Sequence, residues 1–128
     1  MSIGEFSAVL TCVILTGLAV FQGALIAGAP LGRMAWGGQH NVLPPRLRIA
    51  SAASIATYAL FAYIALAKAN FAPSLINESF TAVLAWVLTA YFTVGVLLNG
   101  ISRSKSERQV MTPLAFILAA LYLTLALN

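Results

Sequence analysis

Four long stretches of the chain contain no Asp, Glu, Lys or Arg: Phe6 to Gly28, Ile49 to Ala67, Ser79 to Ser102, and Gln109 to Asn128. A helix rising about 1.5 Å per residue needs about 20 apolar residues to cross a hydrocarbon core of about 30 Å. Each stretch is long enough for one crossing. Backbone amides have no water to bond within lipid, so each crossing must be a helix that satisfies its own amides. The pattern predicts an all-α fold, an integral membrane four-helix bundle made of two helical hairpins. The helices are expected over about 5–28, 48–69, 79–101 and 110–127, in one transmembrane domain covering 1–128. What remains supplies loops and ends and leaves no room for a folded soluble domain.

Composition agrees with that pattern. Hydrophobic residues make up 61% of the 128 and charged residues 8%, where a soluble domain carries roughly a quarter charged residues. Mean hydropathy is +0.94, and an ordinary soluble globular protein is ruled out. The single cysteine, Cys12, excludes an internal disulfide and a dithiol relay, and reads as a small apolar residue. The small residues Ala27-Gly28-Ala29 after the first stretch invite a signal-peptide reading. Glu5 stands where a basic region belongs, however, and the apolar run exceeds a signal core of about 7 to 15 residues. The first stretch is therefore read as a membrane helix.

The net charge of +4 would point to nucleic acid in a soluble chain, but here the cations lie in short loops beside apolar helices, so no nucleic-acid partner is expected. Arg33, Arg46 and Arg48 follow the first helix, and Arg103, Lys105 and Arg108 follow the third, whereas Lys68 alone lies in the second connection. Loops one and three share a side in a four-helix chain. The positive-inside rule then places both in the cytoplasm and both termini outside.

Loop one, Ala29 to Pro45, combines Pro44-Pro45 with Gly32, Gly37 and Gly38, which forbids a continuous helix and favours turns. Its Leu31, Met34, Trp36, Val42 and Leu43 are more apolar than a free loop needs, so it is expected to pack on the bundle or dip into the interface. The Ser-rich segment Ile101 to Arg108 reads as a cationic link between the last two helices. Small residues at helical spacing mark expected packing seams: Ala19, Gly23 and Ala27 with the pair Ala24 and Gly28 in the first helix, and Ala115, Ala119, Tyr122 and Ala126 in the fourth. Ser51, Ser54, Tyr58 and Ala62 form a polar stripe in the second, either ordinary packing or a hydrated pathway. Gln22 to Gly28 also matches Val94 to Gly100 in placing two glycines at equal spacing, a weak internal repeat.

No charged residue lies in the central part of any stretch, where such groups mark ion or proton pathways. A carboxylate-driven antiporter is disfavoured. The polar groups that do enter the membrane, Gln22 and Asn99, sit at matching depths. They serve either helix packing or the base of a pocket. His40 has neither a second histidine nor a nearby cysteine or acid, so no metal site is expected, and no cofactor is implied. The strongest constellation is the set of loop cations with their hydroxyl and amide neighbours, because an arginine fork matches phosphate or carboxylate oxygens. Short basic loops also fix topology and touch anionic lipids without specificity.

Gly28-Ala29-Pro30, Gly32-Arg33, Ala35-Trp36-Gly37-Gly38, His40, Leu43-Pro44, Leu47-Arg48 and Ser51, followed by Asn99, Ser102, Ser104, Glu107-Arg108 and Pro113, resemble small four-helix bacterial inner-membrane proteins without an assigned activity. The resemblance covers nearly the whole chain. It implies a multi-pass protein of the bacterial inner membrane and draws attention to loops one and three. The chain lacks the early intramembrane glutamate of small multidrug transporters. The expected function is binding or transport of an anionic or polar small molecule or lipid headgroup at the cytoplasmic face, by a homo-oligomer in contact with anionic lipids. Arg33, Arg46, Arg48, Arg103 and Arg108 would hold the anion, with Gln39, His40, Asn99 and Ser102 as neutral donors. No catalytic residue is assigned. The alternatives are an enzyme acting on a lipid or amphipathic substrate with His40 as acid or base, and a structural subunit of a larger membrane complex.

Overall fold

A computed structural model of the protein describes residues 1–128 and contains four long helices and no strand: α1 (Ile3–Ile26), α2 (Pro45–Lys68), α3 (Glu78–Gly100) and α4 (Lys105–Leu127). All four are long and apolar enough to cross a membrane. Gly4 lies close to Asn128, so the two termini share one end of the bundle, here the terminal end, with the α2–α3 connection. Loop 1 and loop 3 form the opposite, basic end.

Local chemistry sets the helix boundaries. Ser2 and Glu5 form a reciprocal capping box at the start of α1, which satisfies two of the donors that a helix start leaves unpaired. At its end Gly28 takes φ +95°. The Ala29 amide then donates to Ala24 O and the Gly28 amide to Leu25 O, the glycine-terminated arrangement that satisfies the last carbonyls. Two helix starts differ from the sequence expectation by more than two residues. Helix α2 begins at Pro45 because proline, which needs no amide donor there, suits the first helical position. Helix α4 begins at Lys105, capped by Ser104 accepting from the Glu107 amide. The cationic residues Lys105 to Arg108 are thus its first turn rather than link.

The core fills the terminal half and the middle of the bundle. Ala8 and Leu15 from α1, Phe61, Ile64 and Ala65 from α2, Leu88 and Phe92 from α3, and Leu118, Tyr122 and Leu125 from α4 pack in one cluster. Tyr122 is 0% exposed and its hydroxyl donates to the Phe61 carbonyl at 2.5 Å. Phe92 stacks on Tyr122 at 5.6 Å and meets Phe61 edge-on at 5.7 Å, while Tyr91 meets Phe61 at 5.3 Å. This aromatic group joins α2 to α3.

Helix α1 buries Ala8, Thr11, Leu15, Gln22 and Leu25, not the small-residue seam expected from Ala19 and Gly23. Both are half-buried, and a methyl group on Gly23 would meet nothing within 4 Å, so no neighbouring backbone approaches there. The α4 stripe does face inward at Ala115 and Tyr122. The paired segments of the weak repeat also end differently: Gly28 is left-handed, whereas Gly100 is the last helical residue of α3. Pro113 lies inside α4, where its missing amide removes the hydrogen bond to the carbonyl four residues earlier.

Candidate functional site

Loop 1 is folded against the basic end. Leu43 and Ala35 pack with Leu25 of α1, flanked by Phe21 and Leu47. The Gly32 amide donates to Asn41 O at 2.8 Å, closing the loop on itself. Glycine is required at 32, because a side chain would run into the carbonyls of His40 and Asn41. Trp36, Gly37 and Gly38 have φ of 52°, 78° and 72°, three consecutive left-handed residues that reverse the chain. For Trp36 that conformation is strained, as expected of a residue held by its surroundings. Its indole Nε1 donates to Ser51 Oγ at 3.2 Å.

Two of the candidate arginines build this frame. Arg48 Nε donates to Leu43 O at 2.9 Å, and its guanidinium lies over Gly28, so one side chain joins the start of loop 1 to its end. Arg108 Nη1 donates to Ser102 O at 2.8 Å, holding the turn after α3. Ser104 connects the two loops: its hydroxyl donates to the Arg33 carbonyl while it accepts from the Glu107 amide at 3.3 Å. Gly38 lies against the same contact and leaves no space for a methyl group.

Between the loops is a basin of about 640 Å³, with Arg33 and Gln39 from loop 1, Asn99 from α3, Ser102 and Arg103 from loop 3, and Lys105 from α4 among its lining. Arg33, Arg103 and Lys105 are exposed, three cations around one concavity. Glu107 also lines it and is held by Ser102 Oγ at 2.6 Å. The structure therefore brings together five of the nine residues singled out in the sequence: Arg33, Gln39, Asn99, Ser102 and Arg103. Arg108 touches the basin's edge through Ser102. Arg46, Arg48 and His40 do not line it; Arg46 is exposed and His40 half-buried in loop 1.

A second cavity, of about 700 Å³, lies on the membrane side of the basin. Of its 21 lining residues 16 are hydrophobic, Tyr58 and Tyr91 among them, and the other five are Gln22, Ser54, Gly95, Asn99 and Glu107. Met34, Ala35 and Trp36 of loop 1 close it below, Tyr91 and Phe92 of the aromatic group line its upper part, and Val87 stands at its top. Leu98, Asn99 and Glu107 line both cavities. The Asn99 amide donates to Gly95 O at 2.8 Å, within its own helix. Gln22 is 7% exposed and its side chain meets the Tyr58 hydroxyl at the cleft wall. Sequence reasoning placed Gln22 and Asn99 at one depth. The cleft itself arises because α2 and α3 join at Phe61 and Tyr91 and leave Ser54, Tyr58 and Val94 facing a gap below.

The chain was compared with protein-family models, curated proteins and solved structures, and none matches it. The site is therefore read from its own geometry. His40 lines neither cavity, and no cluster of three His, Cys, Asp or Glu side chains could hold a metal ion.

Proposed function

We propose that this protein is a bacterial inner-membrane protein that binds an anionic group, a polar solute or a lipid headgroup, in the basin between loops 1 and 3. The basic end faces the cytoplasm in this reading, because six of the chain's 7 cations lie there and such loops stay on the side where they are made. The observation that carries the proposal is the convergence of Arg33, Arg103 and Lys105 around one concavity that also offers the Gln39 amide and the Ser102 hydroxyl. Topology alone requires cations in both loops. It does not require Ser104 to tie the loops together across the bundle.

Guanidinium forks match phosphate and carboxylate oxygens in pairs, and amide and hydroxyl donors add orientation without further charge. Glu107 sets a limit on the bound group, since its carboxylate repels any anion that approaches α4 too closely. The anion accordingly belongs on the Arg33 and Arg103 side of the basin. Oligomerisation belongs to the same proposal, as the assembly in which four short helices present several basins on one membrane face.

The test is the double variant Arg33→Gln, Arg103→Gln, measured for binding of inorganic phosphate and glycerol phosphate by the purified protein in detergent. Binding is expected to fall by at least tenfold, since two charge-assisted contacts are lost, while the unfolding temperature stays within the range of Arg46→Gln. Equal binding in the double variant and the parent would overturn the reading.

A further inference from the structure

We infer that the occupant of this site is an anionic amphiphile, whose phosphate or carboxylate sits in the basin and whose chain lies in the adjoining cleft. The inference rests on the basin being an anion site and extends it into the membrane. Its support comes from how the two cavities are joined. They share Leu98, Asn99 and Glu107, so a ligand anchored in the polar one continues directly into the apolar one. A volume of about 700 Å³ falls within the range of small-molecule sites, which are mostly apolar with a few placed polar groups.

The cleft is one leaflet deep. From Asn99 to Val87, both in its lining, α3 rises about 18 Å at about 1.5 Å per residue, against a half-thickness of about 15 Å for the hydrocarbon core. Its α3 side carries Val87, Val94 and Leu98, all exposed, as a rim over which a lipid chain can enter from the bilayer. An apolar chamber of this depth suits an extended acyl chain.

Gln22 marks the junction of the two cavities. It stands four residues before the end of α1, about 6 Å from the basic end by helical rise, just below the level of a headgroup, and its side chain meets the Tyr58 hydroxyl at the cleft wall. The pair offers donors and acceptors where the polar part of an amphiphile gives way to its chain. Charge in the basin and length in the cleft are the two features of an anionic lipid.

The test uses Trp86→Phe protein, in which Trp36 is the remaining tryptophan and reports on the cleft that it lines. In detergent at fixed mole fraction, palmitoyl lysophosphatidic acid is expected to shift Trp36 emission. Hexadecyl phosphate, which keeps the charge and the chain, should shift it as well, and glycerol phosphate should compete without shifting the emission. Ser54→Phe, which fills the cleft, should remove the emission shift while glycerol phosphate still binds. If glycerol phosphate binds but neither lipid shifts Trp36, the chain site is wrong and the anion site stands. An unchanged emission shift in Ser54→Phe would overturn the placement of the chain. If no phosphate compound binds, both readings fall.

Discussion

The terminal half of the bundle is closed and the basic half is open, although the same four helices build both. Near the termini, contacts run side chain to side chain across all four helices, from Ala8 and Leu15 through Phe61 and Leu88 to Leu118 and Tyr122, and the Tyr122 hydroxyl reaches the Phe61 carbonyl 61 positions away. Toward the loops the helices bound a cleft instead, and the connections are made by loop 1: Trp36 to Ser51, Arg48 to Leu43, Ser104 to Arg33. Lipid tails give helices little hydrophobic reason to associate, so association depends on close packing and interhelical hydrogen bonds. One half of this chain uses those devices to hold the helices together, which frees the other half to leave a space.

The largest break in that comparison is Leu125→Ala. Leu125 is 1% exposed in the closed half, and its truncation should lower stability by about 2 kcal/mol or more, read as loss of resistance to unfolding in detergent. Val94→Ala, at the exposed rim of the cleft, should change it by less than about 0.5 kcal/mol. Equal losses would mean that the two halves pack alike. Gly38→Ala comes next. It forces a methyl group onto Ser104 at a left-handed position, for about 1 to 3 kcal/mol of local strain. Faster proteolysis within loop 1 and weakened phosphate binding are expected, with global unfolding changed far less; an unaltered cleavage rate would contradict the tie between the loops. A smaller effect within the closed half is that of Tyr122→Phe, which removes one interhelical hydrogen bond worth about 0.6 kcal/mol in a membrane. A thermal melt resolves it, and a loss several times larger would show that the hydroxyl orders the aromatic group as well.

The helices themselves were legible because charge-free runs of near-spanning length have few other uses. Their starts were less so. The criterion of charge absence stops at Arg108, yet helix α4 begins earlier because Ser104 caps it and its first turn is polar. Pro44-Pro45 signals a break, and the second proline is also where α2 begins. For the site, the sequence identified the right loops and could not sort the arginines within them. Arg46, Arg48 and Arg33 look equivalent in a list of cations. Only the path of loop 1, set by three left-handed residues and by Gly32 pressed against its own carbonyls, turns Arg48 back onto Leu43 and Arg33 toward Arg103. The cleft was beyond sequence reasoning for a similar reason: it lies below the aromatic contacts at which α2 and α3 meet, a matter of shape rather than of periodicity.

Pro113 stands between the open and closed halves. A rod with one rung removed bends first at the gap, and here the gap falls between Lys105 and Glu107 of the basin on one side and Leu118 of the core on the other. Flexing at that point moves a wall common to both chambers while the far half stays still. Head and tail of an occupant would then feel one and the same displacement.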